Sequence, residues 1–164
     1  MPLLSELLAA NEHHALSFSQ ADLPRLPTRK LAILTCMDSR IFPYKMLGLN
    51  EGDAHVIRNA GARVTPDVIR SLIISHNVLG TREIVIIHHT ECGMQRMTND
   101  ALRMGLHKTY GLEPEELDFL LFTDQPQTLR DDIATLRASP FIPDWIPVAG
   151  LIYDVKTGRL EQVV

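Results

Sequence analysis

The sequence has 164 residues, of which 45% are apolar and 22% charged, with a net charge of −4. A single domain over residues 1–164 with one core is expected at this length. The acid excess and the lack of a dense Lys/Arg run argue against nucleic acid as a partner. No apolar run reaches the ~20 residues of a membrane span. Arg25, the first basic residue, comes too late for a secretory leader, and Glu6 interrupts the early leucines. Two cysteines without other signs of secretion read as free thiols in a reducing, cytoplasmic setting, with a single disulfide as the alternative.

Leu3, Leu4, Leu7, Leu8 and Ala15 share one helical stripe and predict a helix of about three turns. Residues 20–30, with Pro24 and Pro27, set this helix apart from the first strand. A detached, leucine-faced helix can pack on its own domain or on another subunit. Leu31 to Thr35 reads as that first strand, and Pro43 to Leu47 as a helical turn opened by proline. Ala54 to Arg58 is a second strand, ending in a tight turn at Asn59-Ala60-Gly61. Thr65-Pro66-Asp67 starts a helix that carries Val68, Ile69, Leu72, Ile73 and Leu79 and stops at Gly80. Glu83 to His88 is a third strand. Helices are expected over Thr98 to His107, Pro114 to Leu121 and Thr128 to Ala138. Val148 to Val155 is a fourth strand, joined by a Thr157-Gly158 turn to an antiparallel edge strand, Leu160 to Val164.

This alternation predicts a doubly wound α/β fold, with a mainly parallel sheet in the order 2-1-3-4, flanked by helices. Ligands of such sheets bind beyond the carboxyl ends of the strands, where the strand order reverses. That point lies between the first and third strands, and Cys36 and His89 stand just past their ends. His89 and Cys92 are three residues apart across a turn, so both can meet Cys36. Two thiolates and an imidazole form a borderline-soft set suited to zinc, and three protein ligands leave a fourth position free. His88 is the weaker candidate, because adjacent strand residues point to opposite faces.

Asp38 and Arg40 sit in the loop that begins at Cys36. A guanidinium beside a carboxylate keeps it ionised and can grip it with both nitrogens. From there Asp38 can ligate the metal as a fourth donor or accept a hydrogen bond from water bound to it; a plain surface ion pair is the alternative. Two other chemistries fail on spacing. A cysteine phosphatase loop needs its arginine six residues after the cysteine, where Phe42 stands, and no glycine-rich phosphate loop is present.

Cys36-Met37-Asp38-Ser39-Arg40, with Arg58-Asn59-Ala60-Gly61 and then His89-Thr90-Glu91-Cys92-Gly93 further along, resembles the β-class carbonic anhydrases. The similarity is strongest from Lys30 to Gly93, and the short chain resembles the compact branch that includes carbonyl sulfide and carbon disulfide hydrolases. The resemblance implies zinc held by Cys36, His89 and Cys92, and reversible hydration of carbon dioxide by zinc-bound hydroxide. Hydrolysis of carbonyl sulfide on the same zinc is the alternative; hydrolysis of carbon disulfide and a catalytically silent zinc-binding dimer are others. It implies that Arg40 holds Asp38 off the metal in an open state, and that Asp38 ligates it in a closed one. It also implies a homodimer or larger homo-oligomer, with the N-terminal helix reaching onto the partner subunit. Ile41, Phe42, Ala60 and Gly61 are candidate substrate-lining residues by position. Ile41-Phe42-Pro43 stands where some members carry a tryptophan of a bicarbonate regulatory site, so that regulation is not expected.

Overall fold

The computed structural model describes residues 2–112 and 117–164. Five strands form one sheet in the order β2-β1-β3-β4-β5. They are β1 (Leu31–Cys36), β2 (Ala54–Asn59), β3 (Glu83–His89), β4 (Val148–Tyr153) and β5 (Leu160–Gln162). The first four are parallel, and β5 runs antiparallel to β4 with Tyr153 opposite Leu160. The strand order is the one read from the sequence. β1 and β3 are in register from Leu31↔Glu83 to Thr35↔Ile87, so Cys36 and His89 emerge from the same edge.

Strand alternation builds two apolar faces. Ala32, Leu34, Ile84 and Ile86 pack with Val68 and Leu72 of α3 (Pro66–Asn77) and with Leu129, Ile133 and Leu136 of α5 (Gln125–Arg137). Ile33 and Ile87 point the other way, toward Leu49, Ala54 and the short α2 (Pro43–Leu47). That second face is thinly covered by its own chain. Leu31, Val56, Val85 and Leu151 remain half-buried on it, and a groove of about 280 Å³ opens between Leu31, Leu47, Leu49, Val85 and Leu151.

Element ends obey local chemistry. The Thr65 hydroxyl accepts from Val68 N and Pro66 fills the first turn, so α3 starts where the sequence places it. It ends at Asn77, before Gly80, because Val78 and Leu79 N–H both turn back to the Ile74 carbonyl. α4 (Asn99–Tyr110) is capped by Thr98 and closed by Gly111 in the left-handed conformation. α5 begins three residues ahead of the expected Thr128, since the Asp124 carboxylate caps Gln127 N and Pro126 sits in the first turn. Of the helix expected over Pro114 to Leu121, residues 114–116 lie outside the described residues, and 117–121 are not helical. β4 stops at Tyr153 because Asp154 folds back to accept from Lys156 N and Thr157 N at the hairpin. α1 (Pro2–Leu16) is 15 residues, four turns where the leucine stripe implied three, and Leu3, Leu4, Leu7 and Leu8 are all exposed on it. Among the described residues no helix is long and apolar enough to cross a membrane.

Gly150 marks the tightest meeting of sheet and helix. A Cβ there would stand 2.8 Å from Ile133 Cδ1 and 3.1 Å from Leu129 Cγ. Overpacking of this kind costs ~1–3 kcal/mol. Gly150→Val is therefore expected to lower the unfolding free energy from urea titration by that amount with an unchanged slope, and an unchanged midpoint would show that α5 can shift freely.

Candidate metal centre

Cys36 ends β1 and His89 ends β3, and both are buried. After His89 the chain turns through Glu91, whose φ of 56° is left-handed, and this brings Cys92 back beneath the sheet edge. The donor atoms of Cys36, His89 and Cys92 lie within 4.8 Å of one another. Gly61, at φ 81° in the turn after β2, directs its N–H at Cys36 Sγ from 3.4 Å. A Cβ at Gly61 would meet Met94 Cγ and Phe122 Cε1 at 3.2 Å, so a side chain there would be crowded as well as strained by the positive φ.

Three observations fit this trio to a metal. His89 Nδ1 lies 3.0 Å from the Thr90 carbonyl, which assigns the ring proton to Nδ1. His89 Nε2 is then a bare lone pair, fully buried and without a hydrogen-bond partner among the described residues. The two thiols are electrostatically incompatible as a pair. The neighbouring Cys92 and then His89 favour the Cys36 thiolate and push its pKa down, while that same sulfur pushes the Cys92 thiol up. A bound cation would favour both sulfurs as thiolates at neutral pH. Two thiolates and one imidazole suit zinc, and three ligands leave a fourth position open.

Asp38 stands beside the trio. Its Oδ1 accepts from Arg40 N and Arg40 Nε, both at 2.9 Å, and its Oδ2 accepts from Arg40 Nη2 at 2.8 Å. This grip holds the carboxylate well below the usual carboxylate range, with Oδ2 turned 3.8 Å from His89 Nε2. Arg40 is held in turn by Glu91: Nη2 donates to its carbonyl at 3.2 Å and Nη1 lies 3.7 Å from its carboxylate. Lys156 pairs with the same carboxylate at 2.5 Å. An open cleft of about 460 Å³ lies over these groups, lined by Asp38, Ser39, Arg40, Glu91, Gly93 and Arg96.

The remaining candidates separate. Gly61 is buried against Cys36, and Ala60 is half-buried beside it. Ile41 is buried in the core cluster that contains both cysteines. Phe42 is exposed and lines a second cleft with Arg40, Lys45 and Tyr153. His88 points away from the trio, toward Asp132 and Phe122. Sequence reasoning missed Arg58, which clamps the cysteine loop by donating to the Cys36 carbonyl at 3.0 Å and the Asp38 carbonyl at 2.7 Å. It also missed Gln125, whose Nε2 donates to the His89 carbonyl at 2.6 Å, and the buried Asp132. Asp132 left a signal: it is a carboxylate on the stripe that holds Leu129, Ile133 and Leu136.

A parallel sheet with a Cys-His-Cys trio at its carboxyl edge, and an arginine-held carboxylate beside the trio, defines a candidate zinc enzyme of the α/β class. A family model described as carbonic anhydrase matches residues 31–112. The chain is 40% identical over 163 residues to β-carbonic anhydrase 1 of Mycobacterium tuberculosis, covering 99% of both chains. It is 34% identical over 184 residues to a carbon disulfide hydrolase of Saccharolobus solfataricus, covering 98% of this chain and 90% of the other. A crystal structure of carbonic anhydrase from Streptococcus mutans superposes with a TM-score of 0.94 at 47% identity, covering 100% of this chain and 99% of that one. The chain belongs to the β-class carbonic anhydrase family.

Proposed function

We propose that this protein catalyses the reversible hydration of carbon dioxide to bicarbonate, with zinc held by Cys36, His89 and Cys92. The observation that carries this reading is the Asp38–Arg40 pair, poised beside a three-ligand trio that a purely structural site would have no need to leave open. Zinc, when bound, lowers the pKa of a coordinated water toward neutrality and so supplies the nucleophile. Asp38 Oδ2 accepts a hydrogen bond from the attacking water and orients its lone pair at the carbon. Arg40 holds the carboxylate through three hydrogen bonds; released from that grip, Asp38 would be free to serve as a fourth ligand to zinc. Ala60 and Gly61 wall the cysteine side, while Ile41 lies in the core and Phe42 in the second cleft. Two thiolates offset the charge of the metal, so an alkaline optimum is expected. Free thiol ligands suit a reducing cytoplasm.

Stopped-flow carbon dioxide hydration by the zinc-loaded protein, scanned from acid to alkaline pH, tests this reading. Fast turnover that rises with pH supports it. Negligible turnover with zinc retained transfers the reading to carbonyl sulfide or carbon disulfide, a choice that the 34% identity to a carbon disulfide hydrolase supports.

The protein works as a homodimer or a larger homo-oligomer. The exposed leucines of α1 and the half-covered sheet face are complementary apolar surfaces, and α1 of one subunit packs on its partner. Burying one leucine contributes ~1.5–3 kcal/mol. Replacing Leu4 and Leu8 together with Glu is expected to raise the dimer dissociation constant at least ~100-fold by sedimentation. An unchanged constant would assign the interface elsewhere.

A further inference from the structure

Asp132 is almost fully buried in α5, on the far side of the trio from the cleft, and nothing in the chemistry above uses it. Its Oδ1 accepts from Val64 N at 2.9 Å. Its Oδ2 accepts from Arg63 Nε at 2.8 Å and lies 3.5 Å from His88 Nε2. Burial pushes this carboxyl up, but His88, Arg63 and the Val64 N–H outweigh that and hold it below its ordinary range. Arg63 Nη1 also reaches the Leu120 carbonyl at 2.6 Å, and its guanidinium lies over the Phe122 ring at 5.7 Å.

These bonds reinforce the meeting of two segments that both touch the trio. Residues 61–64 carry Gly61, whose N–H rests on Cys36 Sγ. His88 is the neighbour of His89 on β3, and Gln125 of the same α5 secures the His89 carbonyl. α5 therefore holds the end of β3 through Gln125 and the turn at 61–64 through Asp132, whose Oδ2 also faces His88. Asn59 reinforces the turn: Arg63 N donates to its Oδ1 at 2.9 Å, and its Nδ2 donates to the Arg63 carbonyl at 2.7 Å.

We propose that Asp132 is a positioning residue for the metal centre, holding the turn at 61–64, whose Gly61 N–H meets Cys36 Sγ, against the end of β3. This rests on the reading of Cys36, His89 and Cys92 as metal ligands. Supporting partners of ligands set metal affinity by ~10–100-fold.

The test uses the full-length protein loaded with Zn²⁺, and with Co²⁺ as a spectroscopic probe. Asp132→Asn keeps the shape and an acceptor for Val64 N but removes the charge facing Arg63. It is expected to weaken Zn²⁺ binding ~10–100-fold in chelator competition and to change the intensity pattern of the Co²⁺ d–d bands. Ile133→Val, a core change on the same helix, is the control and should lower the melting temperature while leaving both metal readouts at wild-type values. Arg63→Gln, at the rim of the network, gives a smaller change in the same direction and serves if Asp132→Asn does not fold. Wild-type metal affinity and Co²⁺ spectrum in these variants overturn the proposal. Failure of the wild-type protein itself to bind either ion overturns the metal reading beneath it.

Discussion

Cys92→Ser is expected to abolish stoichiometric zinc binding, measured as metal content after dialysis. The variant loses one of three ligands, so the loss should exceed the ~100-fold that a missing supporting contact costs. Serine is nearly isosteric, yet its hydroxyl is a poor ligand for this metal at neutral pH. Cys92 is also buried with its thiol facing Cys36 Sγ, so the variant places a hydroxyl in a site built for sulfur. Zinc retained at one equivalent by Cys92→Ser would mean that the trio is not the binding site.

Asp38→Ala is expected to separate binding from turnover. It should keep one equivalent of zinc, because the trio is complete without it, and lose ~10²–10⁴-fold in kcat at neutral pH, the range for a positioned proton-accepting or orienting group. The sign of its pH dependence is set by the pair. Arg40 lowers the Asp38 pKa, so Asp38 is ionised throughout the neutral range. The ion pair is intact above the ordinary carboxylate range, and its contribution is lost only as pH falls through the depressed native value. An activity that rises between neutral and alkaline pH therefore reports the coordinated water, not protonation of Asp38. Full activity of Asp38→Ala at alkaline pH would show that the carboxylate does not orient the nucleophile.

Strand order and the meeting of Cys36 with His89 were legible because both are matters of period and topology. Short apolar runs alternating with capped helices leave few ways to wind a parallel sheet, and the ends of adjacent strands must then meet. The pairing of Asp38 with Arg40 was legible because two residues of one loop have little room to part. What supports them was not. Arg58 reaches the cysteine loop across a strand, Gln125 reaches His89 from 36 residues away, and Asp132 reaches Val64 across 68. Side chains that bond backbone carbonyls and amides carry no spacing rule, since any segment can present a carbonyl. The end of α3 at Asn77 shows the same limit on a smaller scale. Gly80 was the expected stop, but the Ile74 carbonyl took both amides beyond the helix first.

Glu91 adopts the left-handed conformation in which glycine is at ease, and for an ordinary residue that costs ~1–2 kcal/mol. The same glutamate is the hub between Arg40 and Lys156. Backbone shape and cleft charge are therefore held by one residue and cannot vary separately. Glu91→Gly would relax the bend that brings Cys92 to His89, but would remove the carboxylate shared by Arg40 and Lys156, leaving Arg40 its bonds to Asp38 and to the residue 91 carbonyl. An uncharged L-residue would keep the bend under strain without the two cations that offset it. Position 91 is in this sense a hinge between two codes, one written in torsion angles and one in charge.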